Sequence, residues 1–329
     1  MFGFMAITCL ILAIFIAAIP HILWLILFLI GKIFSFHLPY APFGWTALGL
    51  VIFCWLIITY GYVVGRWKLA TNVIDYQNEA IPTAFDGYKI VHISDLHLST
   101  FDDNPQKLTQ IVDQINQLKP DLVCFTGDLV TTGVGEAQPY TLPLQNIKAN
   151  DGVVSVLGNH DFLIYARQFK NKSERENAVW ALCDFEQNTL GWHLLRNEST
   201  VITRENAQIT VIGVDNINNS KQGFSTINSG DLPKAMEGTN GFRILLSHDP
   251  SHWSAEVVPQ TDIPLTLSGH THAAQIRLFG WSPAQWMFKH VDGLHQQDGQ
   301  TIYINIGLGC TLPVRIGANP EITLIRLKK

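Results

Sequence analysis

Five short stretches of the chain set carboxylate, carboxamide and imidazole groups at the ends of apolar runs. Tyr88 to Ser94 reads as a buried strand and leads into Asp95-Leu96-His97. Strand side chains alternate with period two, so this spacing predicts that Asp95 and His97 point the same way and grip one ion. Leu122 to Thr126 leads into Gly127-Asp128, and Val153 to Leu157 into Gly158-Asn159-His160-Asp161. Phe242 to Ser247 ends in His248-Asp249-Pro250, and Leu265 to Ser268 in Gly269-His270-Thr271-His272. The mixed nitrogen and oxygen donors suit Mn, Fe, Zn or Co without choosing among them. The glycines let backbone turn sharply and approach a ligand closely.

The elements between these stretches are those of an α/β sheet. Pro105 to Leu118 has apolar residues at Leu108, Ile111, Val112, Ile115 and Leu118, a helical period, and Pro120-Asp121 breaks it. A further helical stretch near Leu142 to Ala149 precedes the third strand. Three successive βα-type units thus deliver polar groups at strand ends, where open α/β sheets place their sites.

The 329 residues hold 22 Lys+Arg against 27 Asp+Glu, a net charge of -5, with 47% hydrophobic residues. That excludes a disordered chain and argues against a nucleic-acid partner. Residues 1–65 contain one charged side chain, Lys32. Met1 to Ile30 and Trp45 to Val64 are each long enough to span a bilayer. The first lacks a basic start and is too long for the core of a signal peptide. The expected organisation is two transmembrane helices in 1–65, a linker over 66–87 and one large α/β domain over 88–329. Arg66 and Lys68 follow the second span while the loop offers Lys32, so the positive-inside rule predicts that the large domain is cytoplasmic. The five cysteines are scattered and read as packing residues.

The five blocks, in this order, resemble the calcineurin-like metallophosphoesterases, in their membrane-associated bacterial branch. The tail, Tyr303 to Gly309 followed by Pro320 to Ile325, is similar to that branch too. The resemblance implies a four-layer αββα sandwich, here preceded by a transmembrane helical hairpin, and two divalent metal ions. It implies that Asp95, His97 and His272 hold one ion, that Asn159, His248 and His270 hold the other, and that Asp128 bridges them. His160 becomes the proton donor or phosphate contact, with Asp161 orienting its imidazole. Two ions about 3.5–4 Å apart lower the pKa of an attacking water and neutralise phosphoryl oxygens.

The expected function is a membrane-anchored phosphoesterase of the inner membrane, cleaving a phosphodiester or pyrophosphate bond. An anchor beside the site suggests a lipid-linked substrate, with a generic phosphodiesterase or a phospholipid phosphatase equally open. One version is the UDP-diacylglucosamine pyrophosphatase reaction of lipid A synthesis, which some relatives perform. The contrary reading is a catalytically weak metal-binding scaffold, and a complete ligand set argues against it. Gln275 and Arg277 are candidates for holding a substrate phosphate, or are an ordinary strand face. His92, His193, His252, His290 and His295 read as structural, although His252 follows His248 by four. Phe162 to Asn188 is the candidate for substrate selection. Two departures from the branch are Ala273-Ala274 in place of Gly-Gly and Ile306 in place of Arg, the second predicting a cation missing near the site.

Overall fold

The computed structural model describes residues 2–219 and 227–329. The chain forms two compact units, Met1–Val64 and Gly65–Lys329. In the first, helices α1 (Phe2–Phe34) and α2 (Ala41–Val63) form the expected hairpin. The loop is shorter than expected. The helix continues through Gly31 and Lys32, and Pro42 starts α2, where its missing N–H costs nothing. The spans Leu10–Phe34 and Ala41–Trp67 have mean hydropathies of 2.7 and 2.2, and only 6% and 11% of them is buried. Helices this apolar and this uncovered are long enough to cross a bilayer and associate the chain with a membrane. At the loop Trp24 Nε1 donates to the Leu38 carbonyl at 3.3 Å, and its ring packs on Phe28 and Tyr40. The Cys9 side chain lies outside the described ones.

The second unit stacks two six-stranded sheets. One has the order β1 (Ala70–Gln77), β12 (Glu321–Lys328), β2 (Lys89–Ile93), β3 (Leu122–Phe125), β4 (Val153–Ser155) and β5 (His193–Leu194). The other has β10 (Gly293–Gln297), β11 (Gln300–Ile304), β9 (Leu265–Ser268), β8 (Phe242–Leu246), β7 (Ala207–Gly213) and β6 (Glu198–Arg204). Three apolar layers follow from the alternation of side chains across each sheet. Ile90, Leu122, Cys124 and Val154 meet Val211, Ile244, Leu246 and Leu267 between the sheets. Val91, Ile93, Val123 and Phe125 face outwards onto α3 (Pro105–Gln117) and α5 (Lys172–Asp184), with the short α4 (Thr141–Gln145) beside them. Ile212, Leu245 and Ile302 face Trp253 and Val257 on the far side. The architecture is the expected αββα sandwich.

One boundary is corrected. Residues 66–87, expected as a linker, contain β1, which pairs in parallel with β12 from Ala70–Glu321 to Gln77–Lys328. The catalytic unit therefore begins at Gly65. β1 is an edge strand with one neighbour, and its inward positions include Asn72 and Tyr76, so its apolar alternation is weak.

Candidate metal centre

β2 stops at Ile93, before the first ligand-type residue. Asp95 and His97 lie beyond it in left-handed backbone, at φ 50° and 39°. They do converge, but two left-handed residues bring them together rather than the strand alternation. Asp128, His270 and His272 are left-handed too, at φ 61°, 73° and 48°. Non-glycine residues persist in such conformations, at about 1–3 kcal/mol each, only where the surroundings over-determine them. Here Asp95 N–H donates to the Gly127 carbonyl at 2.8 Å and His97 N–H to the Asp128 carbonyl at 3.0 Å. His270 N–H donates to Asp95 Oδ2 at 3.0 Å and His160 N–H to Asp128 Oδ1 at 2.8 Å. Two glycines permit this approach: a methyl on Gly158 would strike the Asp128 carboxylate, and one on Gly269 would strike Ser94 and Asp95.

The seven ligand candidates meet in two groups around Asp128. In one, His97 Nε2 and His272 Nε2 are 3.1 Å apart, with Asp95 Oδ1 3.3 Å from His272 Nε2 and 3.9 Å from His97 Nε2. In the other, His248 Nε2 is 3.0 Å from Asn159 Oδ1 and 3.1 Å from His270 Nδ1. Asp128 Oδ2 lies 3.5 Å from His97 Nε2 and 3.3 Å from His248 Nε2, touching both. His248 Nδ1 donates to the Thr126 carbonyl at 2.6 Å, so in the neutral ring its Nε2 presents a lone pair to two oxygen acceptors. Asp95 Oδ1 is buried with no hydrogen bond. Acceptors facing acceptors in a buried pocket call for a cation. The donor set therefore fits the two divalent ions that the family implies, one per group.

Titration behaviour agrees. Burial pushes His97 down to about 3 and lowers His270 as well. Burial, with His97 and Arg315 beside it, holds His272 well below the usual imidazole range. All three thus stay neutral, the ligating form. Burial also disfavours the charged form of His248, but the Asp128 carboxylate, with Asp95, outweighs it and pushes His248 up to about 10.

The residues beside the groups bring several corrections. Asp161 was expected to orient the His160 ring. Its carboxylate instead accepts from the backbone N–H groups of Asp128 (2.7 Å), Gly158 (2.9 Å) and Val130 (3.2 Å), because it is fully buried beneath that turn. It braces the loop that carries Asp128. The His160 ring lies between His97 and Tyr165, with Nδ1 3.4 Å from the Thr131 carbonyl. Gln275 lines the cavity over the groups, but its amide is committed to Thr311, Leu312 and Val314 and fastens that loop. Arg277 pairs with Asp292 at 3.0 Å. A cation near the site is present after all. Arg315, fully buried, sets Nη2 3.2 Å from His272 Nδ1 and donates to the carbonyls of Ile306, Gly307, Gly309 and Ala318.

Asp249, read from sequence as a turn former, lies 3.4 Å from His270 Nε2. Its position directly after His248 was the available signal. Tyr165, whose hydroxyl accepts from Asn159 Nδ2 at 3.2 Å, is the part of 162–188 that reaches the site. The α5 helix of that segment packs Val179, Leu182 and Cys183 on the core. His92 and His252 are structural: His92 Nε2 meets Thr126 Oγ1 at 2.9 Å, and His252 Nδ1 meets Ser247 Oγ at 2.8 Å. A cavity of about 390 Å³ opens over the groups, lined by Asn159, His160, Tyr165 and His270 and, on its apolar side, by Met287, Phe288 and Leu312.

Comparison with known proteins agrees with this geometry. Residues 88–274 match the family described as calcineurin-like phosphoesterase. The metallophosphoesterase YkuE of Bacillus subtilis is 31% identical over 281 residues, 82% of this chain and 90% of that protein. The metallophosphoesterase YkoQ of the same organism is 29% identical, over 78% of this chain and 88% of that one. A transmembrane protein with metallophosphoesterase domain from Danio rerio is 30% identical over 87% of this chain, which spans 63% of that longer protein. The paired apolar helices and the transmembrane relative associate the chain with a membrane. With its metal-type residue groups and its matched domain, the chain belongs to the calcineurin-like phosphoesterase family, hydrolases acting on phosphoric ester bonds.

Proposed function

We propose that this protein is a membrane-anchored dimetal phosphoesterase that cleaves a phosphodiester or pyrophosphate bond in a lipid-linked substrate. The observation that carries the reading is the convergence of seven donor side chains in two groups that share Asp128 Oδ2. Asp95, His97 and His272 would hold one ion, and Asn159, His248 and His270 the other, with Asp128 between. The ions would supply Lewis-acid charge to a phosphoryl group and lower the pKa of a water.

The protein's own groups do the rest. With Nδ1 turned to the Thr131 carbonyl, a doubly protonated His160 would give the proton on Nε2 to the departing oxygen and return to the neutral ring, a step worth about 10²–10⁴ in rate. Tyr165 keeps that ring in place from one side. Phe288 and Met287 line the approach with apolar surface and limit water. Two spans carry both ends of the hairpin to one face, and the excess of Arg66 and Lys68 over Lys32 supports a cytoplasmic one.

The test uses detergent-purified, metal-stripped protein with Mn²⁺ restored. Hydrolysis of bis(p-nitrophenyl) phosphate, p-nitrophenyl phosphate and a nucleotide-linked lipid pyrophosphate is measured side by side. We expect Mn²⁺-dependent turnover, with Asp128→Ala reducing it by about 10³ or more, the scale of losing a main electrostatic stabiliser. Folded, metal-loaded protein inert to all three would favour the scaffold reading.

A further inference from the structure

From Leu278 to Phe288 the chain carries no charged residue and four aromatic rings, and it is bracketed by Arg277 and Lys289. The run opens with a tight hairpin. Leu278 and Trp281 exchange both backbone hydrogen bonds at 2.9 Å, and Phe279 and Gly280 between them are left-handed, at φ 52° and 84°. This turn throws the Phe279 ring fully into the open, at 109% relative exposure, and Trp286 stands 79% exposed. Trp281 and Trp286 meet edge to face at 5.3 Å. The inner face of the run is anchored, since Ala284 and Phe288 sit in a core with Ala273, Val291 and Ile306.

Five of the twelve large apolar side chains that stand exposed on this unit, among the described residues, come from these eleven positions. The others, such as Val73, Leu142, Trp180 and Val201, are scattered along the chain. A contiguous patch of this kind marks an interaction surface. It also borders the metal-site cavity, because Met287 and Phe288, at the end of the run, line that cavity.

The chain itself names the occupant. α2 ends at Val63 and the catalytic unit starts at Gly65, so a bilayer crossed by α2 is joined to this unit without a spacer. Tryptophan and phenylalanine beside a cation form the composition of the interfacial layer, with the rings at headgroup level and Lys289 turned to anionic phosphates while Arg277 stays paired with Asp292. We propose that Leu278–Phe288 seats in that layer, and that the cavity it borders receives the phosphoester of a lipid still resident in the bilayer. The second half of this proposal rests on the phosphoesterase reading above, while the first does not.

The experiment uses the full chain in vesicles of phosphatidylcholine with a minority of phosphatidylglycerol. Cys9 and Cys54 are replaced by alanine, and an environment-sensitive fluorophore is attached at Phe279→Cys or, as control, at Val201→Cys on exposed β6. Lipids spin-labelled near the headgroup should quench the first fluorophore and leave the second unchanged. Absent or equal quenching overturns the proposal, as does disulfide cross-linking of Phe279→Cys between copies without quenching, which would make a second copy the occupant. Phe279→Asp, at a side chain that touches no core, should keep wild-type turnover of bis(p-nitrophenyl) phosphate and lose turnover of a fluorescent lipid phosphodiester in the vesicles. Equal loss on both substrates overturns the lipid-entry half. A wild-type protein inert to both sinks the phosphoesterase reading, and quenching still decides whether the hairpin is inserted.

Discussion

Behind His248 and His270 lie oxygen acceptors, the Thr126 carbonyl at 2.6 Å and the Asp249 carboxylate at 3.4 Å. Behind His272 lies a guanidinium, Arg315 Nη2 at 3.2 Å. In front the difference runs the other way, since Asp95 serves the His272 group where neutral Asn159 serves the His248 group. The group with the extra carboxylate is thus backed by a cation, and the group without it by an anion. Charge at this centre is balanced over two layers of side chains, and the ligand set alone describes half of it. An acceptor behind an imidazole also fixes its tautomer and strengthens it as a ligand, which a donor-only guanidinium does not do.

Removing Arg315 should break this contrast most severely. Arg315→Met leaves several buried carbonyls without donors, at about 1–3 kcal/mol each. We expect a loss of at least about 3 kcal/mol, or roughly 6–12 °C in unfolding temperature. Metal analysis should find the ion of the His272 group lost first. Asp249→Asn should act on the opposite group alone, weakening its ion by about 10–100-fold in a titration while the first site keeps its affinity. Equal weakening of both sites would show that the two layers are not separate.

Two smaller effects sharpen the picture. Glu186 is fully buried beside Ser155, and burial together with the Asp161 charge pushes its carboxyl from 4.5 up to about 8. The folded protein then binds more protons than the unfolded chain between those values, so stability falls as pH rises through them, by up to about 1.4 kcal/mol per pH unit. Glu186→Gln should flatten this part of the stability curve relative to wild type. Smallest is the strain in the turn after His272. Ala274 is left-handed at φ 48° and only partly buried, so Ala274→Gly should stabilise by up to about 1 kcal/mol. Ala273 shares the conformation, but its methyl is fully buried, so glycine there should gain nothing.

Strand runs and metal-type blocks were legible because both are local: a short apolar run and the polar residues after it are adjacent in the chain. The pairing of those blocks into two groups came from the family resemblance, since ligands such as Asp95 and His272 are 177 positions apart. What escaped was whatever depended on a remote partner. Arg315 and Asp249 look ordinary until the fold sets them behind His272 and His270. Gln275 stands beside a ligand block but is claimed by the loop at 311–314. β1 was taken for a linker because its partner, β12, is at the other end of the chain.

That last pairing has a consequence for biosynthesis. β1 leaves the ribosome directly after α2, yet its one strand neighbour, β12, lies about 250 positions further along the chain. At about 5–20 residues per second, β1 waits roughly 12–50 s with its hydrogen-bonding edge open while the intervening chain is synthesised. On the membrane-anchored reading proposed above, the hairpin is made before β1, so copies growing on neighbouring ribosomes would expose identical edges in one plane, at high local density. The hazard of this pairing is therefore kinetic, lying in the interval before β12 reaches β1.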